Sequence, residues 1–169
     1  MINHIYIPQV LSEDRRERFV KECQPLLLDS EQLSAIANRK FDPRGIKVFA
    51  GRQTAPNLHK LPIFKDIFDI IAPKISQSVK EELLLVKSWV NWTDGDKKHE
   101  LWHIHPSKFS AVYYMTPFNC GTQFKSGLVR AQMNSLIIFP SHLLHTAPIS
   151  RTKDRYDRYA LSMDFIPIK

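Results

Sequence analysis

A succession of short apolar runs in the second half of the chain constrains the fold more than any other feature of the sequence. These runs alternate or are continuously apolar, and proline, glycine and asparagine separate them. That pattern predicts consecutive β-strands joined by tight turns. The predicted strands cover residues 84–92, about 101–105, 109–115, 121–125, 135–139 and 157–165, and two earlier ones cover 1–7 and 45–50.

The first half of the chain is helical by pattern. Ser12 followed by acidic residues predicts a helix that Pro25 ends, and Ser30 predicts the start of a second, short one. Residues 62–82 carry apolar side chains at intervals of three and four, which indicates an amphipathic helix. Pro73 lies inside this helix and is expected to kink or divide it.

Helices followed by a run of short strands predict an α+β fold, with an all-β core flanked by helices packed on one sheet. The chain has 169 residues, a length that suits one domain with a substantial core. No repeat or linker interrupts it. We therefore expect a single domain over residues 1–169, with helical support at about 12–82 and a β core at about 83–167.

Composition excludes several functional classes. No apolar run approaches the roughly 18 residues of a membrane span, and the N-terminus lacks a basic-then-apolar leader. Cys23 and Cys120 lack metal-type spacing, so we expect two reduced thiols in a cytoplasmic protein. The net charge of +7 is dispersed and only weakly favours anionic partners, and no phosphate-binding loop or RNA-recognition signature is present.

Three histidines are candidate metal ligands. In an extended strand His103 and His105 project from the same face, with Cβ atoms about 6–7 Å apart. His145 follows the apolar run 136–140, which predicts a buried strand ending in a turn. Neutral imidazoles bind Zn, Cu, Fe or Ni, and a site with three protein ligands leaves positions open for catalysis.

Four motifs in order resemble a known family. They are the strand with His103-Ile104-His105-Pro106, the Tyr-Tyr strand 111–115, the loop 139–145 and the strand 158–162. Over residues 89–165 they resemble the double-stranded β-helix (a jelly-roll, cupin-like fold) of Fe(II)- and 2-oxoglutarate-dependent oxygenases. The prolyl hydroxylase group is similar, and so are small phage and bacterial oxygenase-like proteins with an H-x-H-P strand and an F-P-S-x-L-x-H loop.

The resemblance implies roles for individual residues. By matching position, His103 is the first iron ligand and His145 the distal one. Arg158 matches the residue that holds the far carboxylate of 2-oxoglutarate, and its planar guanidinium suits a bidentate contact. The further cosubstrate contacts that the resemblance implies are Ser162, Tyr114 and Trp92.

The sequence departs from the family at an informative position, because His105 replaces the acid of the usual H-x-D pair. Three imidazoles give a more cationic centre than two histidines and a carboxylate, which puts 2-oxoglutarate turnover in question. A carboxylate from the preceding loop is the alternative, although a position beside a turn predicts solvent exposure. The residues concerned are Asp94, Asp96 and Glu100, and His99 and His142 are predicted to be non-ligands.

These observations predict an Fe(II)- and 2-oxoglutarate-dependent dioxygenase that hydroxylates a substrate not specified by the sequence. A peptidyl-prolyl or other side chain, a small molecule and nucleic acid all stay open as substrates, and so does the oligomeric state. One alternative is a cupin-like metal dioxygenase or isomerase that does not use 2-oxoglutarate and places a substrate carboxylate on Arg158. The other is a non-catalytic, ligand-binding β-sandwich with its histidines buried in the core.

Overall fold

A computed structural model of the protein describes residues 3–37, 51–94, 102–148 and 156–169. The predicted strand at 45–50, together with Asp96, His99 and Glu100, lies outside the described residues. In chain order the helices and strands are β1 (Ile5–Ile7), α1 (Glu13–Cys23), α2 (Ser30–Ala37), β2 (Arg52–Gln53), α3 (Lys65–Val79), β3 (Leu83–Thr93), β4 (Phe109–Tyr114), β5 (Gly121–Phe124), β6 (Gly127–Arg130), β7 (Leu136–Pro140), β8 (His145–Thr146) and β9 (Arg158–Pro167).

The strands form two antiparallel sheets. The large sheet has the order β1-β7-β4-β9-β3-β2, and the small sheet has the order β6-β5-β8. A further bridge joins His103 to His145, so the small sheet extends to residue 103 on its β8 side. This arrangement, with α1 and α3 packed on the large sheet, is the jelly-roll, cupin-like β fold with flanking helices that the sequence predicts.

The large sheet has two differently packed faces because its side chains alternate. On one face Tyr159, Leu161, Met163 and Phe165 of β9 pack against the helices in one continuous core. On the other face Ala160 belongs to a smaller cluster that lies between the two sheets. The buried members of this inner cluster are Tyr114, Phe124, Ile137, Phe139 and Ala160.

Pro73 does not divide the third helix, which runs from Lys65 to Val79 with Pro73 inside it. Pro73 lies on the exposed side, whereas Ile67, Ile71 and Ile75 are fully buried. A proline removes one backbone hydrogen bond from a helix. Burial of each of the three isoleucines contributes about 1.5–3 kcal/mol, and together these contributions exceed that loss.

Other predictions of local structure differ in detail. The predicted strand at about 101–105 is reduced to the single bridge at His103, and β6 was not predicted. Strand β6 forms a hairpin with β5 through the short turn at Lys125 and Ser126.

Cys23 and Cys120 are free thiols, as expected. Among the described residues no helix has the length and apolar character to cross a membrane.

Candidate metal centre

The three predicted histidines converge at one end of the space between the sheets. The ring centroid of His103 lies 5.0 Å from that of His105 and 4.4 Å from that of His145, and the last two are 5.1 Å apart. One ligand nitrogen from each ring lies within 4.8 Å of the other two. Nitrogens at such separations surround a space the size of one metal ion, which each would contact at about 2 Å.

Backbone hydrogen bonds hold the three histidines in place. The amide of His103 donates to the carbonyl of His145 at 3.1 Å, and the amide of His145 donates back to the carbonyl of His103 at 3.1 Å. The amide of His105 donates to the carbonyl of Ser141 at 3.0 Å. Both chain segments therefore meet through main-chain bonds, and the histidine geometry does not depend on side-chain packing alone.

The environment of His145 fixes its protonation state. Its Nδ1 lies 2.8 Å from the carbonyl oxygen of Leu143, to which it can only donate, so Nε2 is the nitrogen left for a metal. The ring packs against Phe139 and Phe124, and burial lowers the pKa of His145 to about 4. At neutral pH the imidazole is consequently neutral, which is the form that binds metals.

His105, the second of the three histidines, is hydrogen-bonded to a buried carboxylate. Its Nδ1 lies 3.1 Å from Oδ2 of Asp164, a residue that is only 2% exposed. The ring also stacks on Trp89, with centroids 5.5 Å apart and planes at 25°. Sequence reasoning missed Asp164, although Arg158, Ser162 and Asp164 are separated by four and two residues and therefore share one face of a strand.

Arg158 is a buried cation on the same face of β9. It is 5% exposed, and its Nε donates to the carbonyl of Asn119 at 3.2 Å. Burial lowers the pKa of the guanidinium, and the ionisable groups that oppose this effect are the phenols of Tyr114 and Tyr156 and the thiol of Cys120. Among the described residues, none of these facing groups is a carboxylate. A buried cation surrounded in this way suits an anionic ligand.

Tyr114 lies between Arg158 and the small sheet. Its hydroxyl is 2.6 Å from Oγ1 of Thr122, and its backbone pairs with Ala160 of β9. Burial raises the pKa of the Tyr114 phenol above its ordinary value. The phenol therefore keeps its proton at neutral pH, and either oxygen of the Tyr114–Thr122 pair can be the donor in their hydrogen bond.

We expect Tyr114 to ionise only when the protein unfolds in alkali. Because its pKa is raised in the folded state, the stability that it contributes is complete below about pH 10 and is lost as the pH rises through the folded value. The measurement compares tyrosinate absorbance in the wild type and in Tyr114→Phe, with circular dichroism as the monitor of folding. A difference between the two proteins near pH 10, while both are still folded, would contradict this expectation.

The two remaining predicted cosubstrate residues lie on opposite faces of the large sheet. Ser162 shares the inner face with Arg158, and its hydroxyl accepts a hydrogen bond from Nδ2 of Asn91 at 3.3 Å, which leaves its own proton free to donate. Trp92 lies opposite Tyr159 in the β3–β9 register and therefore packs on the helix side of the sheet. Its indole Nε1 donates to Asp157 at 2.8 Å. Trp89, three residues earlier and on the other face, is the tryptophan that stacks on His105.

Asp94 and His142, the two alternative candidates that the structure describes, do not join the cluster. Within the described part of the chain, the group that could hold a metal consists of His103, His105 and His145, and Asp94 is not among them. His142 is exposed in the loop that precedes His145. Among the described residues, the candidate centre thus consists of three imidazoles with a carboxylate one hydrogen bond away.

Comparison with known proteins finds similarity in structure but no match in sequence. No protein-family model and no curated protein matches the sequence. Among solved structures, HygX from Streptomyces hygroscopicus, solved with nickel, 2-oxoglutarate and hygromycin B bound, has a TM-score of 0.67 at 14% identity over 98% of this chain and 83% of HygX. SnoK, a non-heme alpha-ketoglutarate-dependent carbocyclase from nogalamycin biosynthesis, has a TM-score of 0.70 at 13% identity over 98% and 80%.

A viral enzyme is similar as well. The collagen prolyl hydroxylase vCPH from Paramecium Bursaria Chlorella virus-1 has a TM-score of 0.60 at 10% identity, over 98% of this chain and 90% of vCPH. Identities this low establish the fold and not the activity. The chain shares its fold with 2-oxoglutarate-dependent, non-heme iron enzymes.

Proposed function

We propose that the protein is an Fe(II)- and 2-oxoglutarate-dependent oxygenase. The observation that carries the proposal is that His103, His105 and His145 meet between the two sheets, on the side of the large sheet from which the buried Arg158 extends. A metal site and an anion site inside one barrel are the two parts that such an enzyme requires. The fold supports the proposal because its structural neighbours include enzymes of this type.

The donor set fits a divalent first-row metal. The Nδ1 atoms of His105 and His145 are engaged with Asp164 and Leu143, so their Nε2 atoms are free for coordination. Imidazole ligands suit iron, nickel, copper and zinc, and HygX was solved with iron and with nickel. When bound here, Fe(II) would supply the redox chemistry by which O₂ oxidises 2-oxoglutarate to succinate and CO₂ and oxidises the substrate.

The chain's own residues would position the cosubstrate. Arg158 provides a buried positive charge for the far carboxylate, and a planar guanidinium can make two parallel hydrogen bonds to it. The protonated hydroxyl of Tyr114 provides a further donor close by. Phe124 and Phe139 are buried between the two sheets with their rings against His145, where they would exclude water from the metal centre.

A peptidyl side chain is the first substrate class to test. One structural neighbour is a collagen prolyl hydroxylase, and the sequence motifs resemble that group. The test set therefore begins with proline-containing peptides and continues with small molecules and single-stranded nucleic acid. Substrate-dependent succinate formation identifies the class.

The experiment that tests the function has two stages. Purified protein receives Fe(II) and 2-oxoglutarate without oxygen, and the visible charge-transfer absorption of an iron-bound keto acid is recorded. Air is then admitted, and succinate is quantified by mass spectrometry. We expect the absorption to need both additions and succinate to form slowly even without a substrate. Absence of both signals from folded, metal-loaded protein would refute the proposal.

A second candidate is a cupin-like metal enzyme that does not use 2-oxoglutarate. The observation that favours it is the histidine at position 105, since the set of ligands contains no carboxylate among the described residues. In that case Arg158 would hold a substrate carboxylate. Metal would bind in stoichiometric amounts, but 2-oxoglutarate would not change the visible spectrum and succinate would never form.

A further inference from the structure

A buried carboxylate lies directly behind one of the three histidines. Asp164 on β9 is 2% exposed, and its Oδ2 is 3.1 Å from Nδ1 of His105. Its other oxygen, Oδ1, accepts a hydrogen bond from Oγ of Ser110 at 3.0 Å. Ser110 and Asp164 are paired residues of β4 and β9, so the sheet register itself sets this contact.

A row of serine hydroxyls orients Asp164 from the side away from His105. Oγ of Ser110 lies 2.9 Å from Oγ of Ser141, which lies 2.7 Å from Oγ of Ser107. The carbonyl oxygen of Ser141 also accepts a hydrogen bond from the backbone amide of His105. Ser141 therefore contacts both the serine that holds Asp164 and the backbone of His105. Burying a carboxylate is costly unless it is hydrogen-bonded, and within the described residues its ionisable partner is His105.

We infer that Asp164 is a positioning residue of the metal centre and acts through His105. The carboxylate accepts the proton on Nδ1 of His105, which directs Nε2 toward the metal and makes the imidazole a stronger ligand. It also places one negative charge one imidazole away from the ion. The acid missing from the H-x-D position is thereby replaced by a carboxylate behind the ligand. This inference rests on the proposed metal centre.

A purely structural role makes a different prediction. If the contact between Asp164 and His105 only joins β9 to the loop, removing the carboxylate lowers the stability of the metal-free protein and leaves its affinity for metal unchanged. If Asp164 acts on the metal, the affinity and the electronic spectrum of the bound ion change as well. Metal binding by the whole chain therefore separates the two roles without any assay of turnover.

The test uses Asp164→Asn, which keeps the shape of the side chain and removes its charge. Asp157→Asn is the matched control, because this exposed residue lies seven positions earlier, about 23 Å along an extended strand. Fe(II) affinity is measured by anaerobic calorimetry on metal-free protein, and Co(II) serves as a probe of the visible spectrum. We expect Asp164→Asn to bind Fe(II) about 10–100-fold more weakly and to shift the Co(II) bands. Asp157→Asn should match the wild type.

Each outcome is decisive. Equal Fe(II) affinity and equal Co(II) spectra in Asp164→Asn and Asp157→Asn overturn the inference, whatever happens to the melting temperature of the metal-free protein. Failure of the wild type to bind either ion overturns the proposed metal centre itself. Should Asp164→Asn not fold, Ser110→Ala keeps the carboxylate and removes the bond that orients it. A several-fold loss of affinity in that variant supports the inference, and no loss contradicts it.

Discussion

Replacing His145 by alanine is expected to leave a folded protein that carries almost no iron. Zinc sites with four ligands bind with about 10–16 kcal/mol at neutral pH, so each ligand accounts for roughly 2.5–4 kcal/mol. Loss of one such ligand weakens binding by about two to three orders of magnitude. The backbone bonds between residues 103 and 145 do not involve the imidazole, so the local fold persists. Elemental analysis after desalting measures the result.

His142→Ala is the control for this experiment. His142 is a histidine of the same loop, but it is exposed and lies outside the cluster. The His142→Ala variant should retain the metal content of the wild type. The circular dichroism spectra of His142→Ala and His145→Ala should match each other. Stoichiometric iron in His145→Ala would show that the ion, if bound at all, sits elsewhere. Loss of iron in both variants would point to a disturbed loop and not to a lost ligand.

The second large effect is expected from Arg158→Ala, which should raise the concentration of 2-oxoglutarate needed for succinate formation while leaving iron bound. Removing one partner of a buried charge pair costs about 2–5 kcal/mol. That range corresponds to roughly a thirtyfold to a few thousandfold loss of affinity. The measurements are the 2-oxoglutarate dependence of the anaerobic absorption and of succinate formation, with iron content determined in parallel.

Two variants sharpen this prediction. Arg158→Lys keeps the positive charge but loses the planar guanidinium that can make two parallel hydrogen bonds. Its affinity for 2-oxoglutarate should therefore lie between those of the wild type and Arg158→Ala. Arg130→Ala removes an exposed arginine on β6 and should behave as the wild type. Undiminished affinity for 2-oxoglutarate in Arg158→Ala would refute the anchoring role. If the wild type itself shows no affinity for 2-oxoglutarate, the second candidate function gains support.

Much of the fold could be predicted from local pattern. Apolar residues recur at intervals of three and four around Ile67 and Ile71, and short apolar runs follow Leu83. Both patterns arise because one face of a helix or strand is buried, and each can be recognised within a short stretch of sequence. The predicted strand at about 101–105 was less accurate. His103 and His105 come together through hydrogen bonds to residues 145 and 141, and no local pattern contains those partners.

The candidate site was predicted in part. The three histidines converge as expected, although hydrogen bonds from His103 and His105 to the chain segment around His145, and not a regular strand, bring them together. The choice between Trp89 and Trp92 could not be made from local sequence, since residues three apart in a strand lie on opposite faces. The register with β9 decides which of them faces inward. The contact of Asp164 with His105 spans 59 residues and depends on the same register.

The place of β9 in the large sheet has a consequence for the order of assembly. This strand lies between β4 and β3, so before residues 158–167 are inserted the sheet exists as two separate halves, β1-β7-β4 and β3-β2. The strand also carries Asp164 and Arg158. In chain order these two residues follow the described groups to which they are hydrogen-bonded, so the pocket is complete only after β9 has been inserted. Under the proposed function, iron would therefore bind only once this strand is in place.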